Sequence, residues 1–167
     1  MAVQPLIYRG QGFSLRRDKN RFVLPNQFRG TVRASSDDKP ILCLAKHESW
    51  NCLVGYGLSR TREFERIIEE EREFAMKSGQ PFDRDMKAMT LYNYHEVPFD
   101  GSGRFVLPED LAIVAEVEDQ LYFQGAGQYF FVFAPEALAA MTEAQFKGAQ
   151  VSCASLAKAE LKKAGRA

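Results

Sequence analysis

Arg21 and Arg104 open two identical pentapeptides, Arg21-Phe22-Val23-Leu24-Pro25 and Arg104-Phe105-Val106-Leu107-Pro108. The arginine side chain ends in a planar fork of donors that fits phosphate oxygens or the O6/N7 edge of guanine. Basic residues crowd the first copy. Arg9, Arg16, Arg17, Lys19, Arg21, Arg29 and Arg33 face a single acid, Asp18, within residues 1–33, a local charge of +6. The whole chain has a formal charge of zero, so the remainder carries the balancing −6. Such asymmetry between segments points to a polyanionic partner. Arg9, Arg16, Arg17 and Lys19 have the character of phosphate contacts; the plainer alternative is a solvated cationic face. For Arg104 the plainer alternative is a pair with Asp100 that only pins its own turn.

Other chemistries find little support. The two histidines, His47 and His95, stand far apart in the chain. Cys43, His47 and Cys52 match no standard zinc spacing and lack a fourth ligand, so no metal or cofactor is expected. His95 reads as structural, and Glu69-Glu70-Glu71 as a solvated helix face. There is no Gly-x-x-x-x-Gly-Lys phosphate loop, Gly-x-Ser-x-Gly elbow or His-Glu-x-x-His pair, and Gly101-Ser102-Gly103 is explained by a turn. An enzyme is not expected. Cys43, Cys52 and Cys153 are an odd set without framework spacing and read as free, mostly buried thiols. Residues 1–10 lack a basic segment followed by an apolar one, and no apolar run nears the ~20 residues of a bilayer span. A cytosolic location is expected. The Asp119–Gly125 stretch is similar to a protease-cleavage linker, but it sits inside a strand-like pattern and reads as native sequence.

The elements that must carry these arginines repeat as well. Each pentapeptide follows a polar turn, Asp18-Lys19-Asn20 or Asp100-Gly101-Ser102-Gly103, with residues that tolerate positive φ. Each leads into an amphipathic stretch marked by Phe28 or Leu111. Strand, tight turn, strand and short helix is the unit implied, with proline at the first helical position. The offset of 83 residues exceeds a solenoid repeat and indicates a duplicated half. Further strands are read at Ile41–Leu44, Cys52–Val54, Gln120–Phe123 and Tyr129–Phe133, the last two joined through Gly125-Ala126-Gly127. Between the halves, Ser59 is a candidate N-cap for a helix bearing Phe64, Ile67, Ile68, Phe74 and Ala75 on one face. Pro81 opens a second helical stretch with Phe82, Met86 and Met89 in register. Both apolar stripes read as core or subunit-interface packing. Residues 136–147 and the Ala/Lys-rich tail from Val151 to Ala167 also read as helical, the tail fraying at its end.

Tyr8-Arg9-Gly10 with the first hairpin, and Phe99 through Pro108 in the second half, resemble the MraZ family. The resemblance covers roughly residues 8–147. It implies an α+β fold in which two AbrB-like swapped-hairpin units form one small barrel with flanking helices. The implied organisation is a first unit at 1–57, a helical insert at 58–93, a second unit at 94–147 and a helical tail at 148–167. It further implies a cytoplasmic, nucleoid-associated regulator of the division and cell-wall gene cluster. Such a protein assembles as a ring-shaped homo-oligomer on G-rich direct repeats in double-stranded promoter DNA, often its own. An Asp-x-x-x-Arg signature associated with DNA binding is intact as Asp100 and Arg104. In the first half Arg17 stands where the family has Asp, and Asn20 where it has Gly. That departure makes the first loop more basic, which favours phosphate contact. The site residues expected are Arg9, Arg16, Arg17, Lys19, Arg21, Asp100 and Arg104. The competing reading is a ring-forming interaction scaffold with little DNA affinity.

Overall fold

A computed structural model describes residues 6–165. Residues 1–5, and the expected fraying of the tail at 166–167, lie outside the described residues. The first half runs β1 (Gln11–Leu15), β2 (Arg21–Val23), α1 (Asn26–Ser35), β3 (Ile41–Lys46) and β4 (Leu53–Tyr56). Helices α2 (Phe64–Ser78) and α3 (Arg84–Tyr92) follow. The second half repeats the order with β5 (Tyr94–Pro98), β6 (Arg104–Val106), α4 (Glu109–Val114), β7 (Gln120–Gly125) and β8 (Phe130–Phe133), then α5 (Pro135–Ala139) and α6 (Lys147–Lys163). The repeat reaches into the helices: α2 and α6 start at Phe64 and Lys147, again 83 residues apart.

The strand pairing is palindromic. An antiparallel six-stranded sheet has the order β1-β7-β8-β4-β3-β5, and β2 pairs with β6 in a separate two-stranded ribbon. The first strand of each half therefore pairs with the third strand of the other half, β1 with β7 and β5 with β3. The two pentapeptides pair with each other, Phe22 opposite Phe105 at the centre. The chain is thus α+β, with strands exchanged between its halves. The order of the six-stranded sheet ends at β1 and β5, and isolated bridges, Arg17 with Arg21 and Phe99 with Phe105, lead from those strands into the ribbon.

Side-chain alternation explains why the strands read as near-continuous apolar runs: both faces of the sheet are covered. Leu42, Leu44, Leu121, Phe123, Phe130 and Val132 point to one face, where they meet Phe22 and Phe105 of the ribbon, Phe28 of α1 and Leu111 of α4. On the opposite face Tyr122, Phe133, Phe146 and Cys153 pack the C-terminal helices over the second half. Cys43, Tyr56 and Phe64 pack α2 over the first.

Several local expectations are corrected. Pro25 and Pro108 are not the first helical residues. Both sit just before their helices in extended conformation, φ −54° and −56°. A 3-10 turn over Leu58–Glu63 precedes α2, and Ser59 Oγ bonds Ser35 Oγ at 2.5 Å rather than capping a helix. The second helix starts at Arg84, not Pro81, because the Asp83 carboxylate accepts the Met86 N–H at 3.1 Å and so fixes the first turn. Residues 136–147 do not form one helix; Ala140–Glu143 interrupt it between α5 and the 3-10 turn Ala144–Phe146. Of the two insert stripes, Phe64, Ile68 and Ala75 are buried, whereas Phe74, Met86 and Met89 are exposed in the single chain.

Candidate nucleic-acid interface

The β2–β6 ribbon has one inward and one outward face. Phe22 and Phe105 point into the core; Arg21, Val23, Arg104 and Val106 lie on the other side, paired as Arg21 with Val106 and Val23 with Arg104. The ribbon is held by cross-half bonds: Leu24 N–H donates to the Gly103 carbonyl at 2.8 Å, and Leu107 N–H to the Asn20 carbonyl at 3.2 Å. Buried Ser14 of β1 adds a tie, its Oγ accepting the Val23 N–H at 2.8 Å.

The turns before β2 and β6 hold matching places in the two halves but are built differently. In the second, the Asp100 carboxylate accepts the N–H groups of Ser102 and Arg104, each at 2.9 Å, and its other oxygen accepts Arg104 Nε at 2.7 Å. The Arg104 N–H first, then its guanidinium, hold the Asp100 carboxyl below the usual aspartate range. Gly103 takes φ +84°, and a Cβ there would collide with the Arg29 side chain. The first turn has no side-chain cap; Lys19 and Asn20 both adopt left-handed backbone, φ 61° and 59°. Asn20 suits that conformation. Its Nδ2 also donates to the Leu107 carbonyl at 2.9 Å, while the corresponding Leu24 carbonyl is met by Arg29 Nε at 2.7 Å. Asn20 thus has a structural task in this chain.

One open cleft is lined by Arg16, Arg17, Asp18, Lys19, Asn20, Arg21 and Arg104. Five of the seven residues expected from the sequence as site residues line it, and Asp100 touches it through Arg104. Arg9 does not join them. It precedes β1 while Arg16 follows it, so the strand holds the two roughly 20 Å apart. Among the described residues, the side chains of Arg16, Arg17, Lys19 and Arg21 have no ion-pair partner, whereas Arg104 is paired with Asp100. Sequence reasoning did not single out Asn20 or Arg29 for this site, although the departure at Asn20 and the basic count that includes Arg29 were both visible. The other candidates scatter. Cys43 and Cys52 pack into different apolar clusters, and burial pushes both thiols up to about 12. The His47 ring accepts the Ser49 and Trp50 N–H groups at Nδ1 and stacks on Trp50 at 4.6 Å. His95 Nε2 meets Asp110 at 2.8 Å, joining β5 to α4. Among the described residues no helix is long and apolar enough to cross a membrane.

No protein-family model matches the chain. It is similar to proteins named transcriptional regulator MraZ. The one from Rhodospirillum rubrum is 29% identical over 122 residues, 73% of this chain and 76% of the relative. The one from Phenylobacterium zucineum is 28% identical over 138 residues, 83% and 81% of the two chains. With the relative from Parvibaculum lavamentivorans the identity is 30% over 140 residues, 83% of each chain. That breadth exceeds either half of the duplicated fold, and the chain belongs to the MraZ family.

Proposed function

We propose that this chain is a DNA-binding transcriptional regulator that applies its β2–β6 ribbon to duplex DNA. The observation that carries the reading is the convergence of Arg16, Arg17, Lys19, Arg21 and Arg104 on one cleft beside that ribbon. A B-form major groove, about 12 Å wide, admits a two-stranded ribbon, and arginine is the side chain best fitted to guanine edges there. Phosphate contacts by the remaining cations set register and add affinity. The palindromic exchange of strands between halves supports assignment to the AbrB-like swapped-hairpin class, with units at 1–57 and 94–147. The family relationship supports the rest of the reading. The protein acts in the cytoplasm, associated with the nucleoid, as a ring-shaped homo-oligomer on G-rich direct repeats. Its target is the division and cell-wall gene cluster, with its own promoter included. It binds without catalysis or cofactor. Phe74, Phe82 and Met86, which line one groove between α2 and α3, supply an apolar surface for assembly.

The test is a binding titration on the duplex upstream of this protein's own gene, against a scrambled duplex, at several salt concentrations. Specific binding is expected, with log affinity falling against log salt by roughly 0.9 per neutralised phosphate, a slope of about −4.5 if all five cations engage. Arg21→Ala and Arg104→Ala should both weaken it. Equal affinity for both duplexes would remove the autoregulatory part. Absence of any DNA binding would favour the scaffold reading, for which the exposed apolar helices would be the working surface.

A further inference from the structure

The two halves of the ribbon are built alike and finished differently. Arg104 is tethered: Asp100 holds its Nε at 2.7 Å, and the same carboxylate is fixed by two backbone N–H groups of its own turn. Its two Nη groups have no intramolecular partner among the described residues. Four residues before Arg21, where the matching tether would stand, the chain has Arg17, which can only repel. Asp18, one residue further on, lines the cleft but makes no ion pair with Arg21. The first turn is also uncapped.

We propose that this chain divides its DNA contacts between the halves: Arg104, aimed by Asp100, discriminates bases, while Arg21 with Arg16, Arg17 and Lys19 holds phosphates. The inference rests on the reading of the ribbon as a DNA-binding element. Base discrimination depends on direction, because a donor fork that can swing accepts a wrong base edge almost as well as the right one. A tethered fork also loses less rotamer freedom on binding. Attraction to phosphate needs proximity more than direction, since Coulombic energy falls only as the inverse of distance. Four untethered cations therefore make a good phosphate grip and a poor reader. Asp100 acts as a positioning residue, and the loss of its counterpart at position 17 exchanges a reading contact for electrostatic attraction.

The experiment begins with selection of a preferred duplex from a randomised pool by the full-length wild type. Affinity for that duplex and for a scrambled one is then measured at several salt concentrations. Arg104→Lys keeps the charge and loses the fork. It should reduce the preference for the selected duplex about tenfold and leave the salt slope unchanged. Asp100→Asn can still accept the Ser102 and Arg104 N–H groups but cannot accept Arg104 Nε, so it should lose preference in the same way. Arg21→Lys should leave preference within about twofold. Arg21→Ala and Arg17→Ala should weaken both duplexes alike and lower the slope by about one each. Arg17→Asp, which restores the missing tether, should sharpen preference and flatten the salt dependence. If Arg21→Lys costs as much preference as Arg104→Lys, or if Asp100→Asn leaves preference intact, the division of labour is wrong while DNA binding stands. If wild type binds neither duplex, both the division and the proposed function fall.

Discussion

At the scale of single residues, the ribbon carries one arginine that is held, Arg104, and one that is not, Arg21, and the Asp100 carboxylate makes the difference. Asp100 is exposed, so its contacts add little to the stability of the whole protein. Their effect is to order a loop. Because hydrogen bonds to the charged form lower its folded-state pKa, the contribution of Asp100 is complete above the ordinary aspartate value of about 4 and is lost as pH falls through the lower folded value. The Ser102 and Arg104 amide resonances should accordingly stay constant from neutral pH down to about 4 and move only below it, whereas in Asp100→Asn they should not titrate. A midpoint at or above 4 in the wild type would mean that the carboxylate is not gripped as described. The pairing of Arg104 with Asp100 across their own turn was legible in the sequence from their four-residue spacing. Asn20 was legible only as a departure. Its bond to the Leu107 carbonyl, 87 residues away, depends on the two halves being folded against each other, which no local pattern encodes.

At the scale of elements, the ribbon is aimed by what packs beneath it, and glycine shows how tightly. Gly55 of β4 lies against the Phe130 ring, which stacks on Phe28 of α1 at 4.8 Å and meets Tyr8 at 5.1 Å. A Cβ at Gly55 would enter the Phe130 ring and press the stack toward α1, the helix that follows β2. Gly55→Ala is expected to destabilise by about 1–3 kcal/mol, as overpacking of a filled core does. Gly30, exposed on α1 with open space around it, should respond in the opposite sense. Gly30→Ala should stabilise by about 0.5–1 kcal/mol through helix propensity. Urea unfolding of both variants would check the pair, and a stabilised Gly55→Ala would show that β4 and β8 are looser than they look. Strands and the short helices after each pentapeptide were legible from apolar runs and turn residues. The partners of β1 and β5 were not. A hairpin pattern predicts pairing with a sequence neighbour, and here each first strand crosses to the other half.

At the scale of the whole molecule, the apolar stripes on α2 and α3 lie on helices as their period predicts, and in the single chain only part of each is buried. Phe64, Ile68 and Ala75 are buried, Phe64 against Cys43 and Tyr56 of the sheet. Phe74 and Met86 share a groove with Phe82 and stay 73% and 58% exposed. Contiguous exposed apolar surface of this kind marks an interaction site more often than an idle surface, and a closed ring is the assembly that would cover it in every subunit. On the proposed reading, the five cations of one cleft supply only a few phosphate contacts per chain. Linked subunits gain by effective concentration when the DNA repeats match their spacing. The double variant Phe74→Glu, Met86→Glu alters only exposed positions, so the fold should be retained by circular dichroism. It is expected to sediment as a smaller species than wild type. On a duplex carrying one site it should bind as the wild-type chain does. On a duplex carrying two properly spaced sites it should lack the wild-type gain in affinity. An unchanged sedimentation coefficient would place the subunit contacts elsewhere on the molecule. A smaller species that still gains from the second site would show that the ring is not the source of avidity.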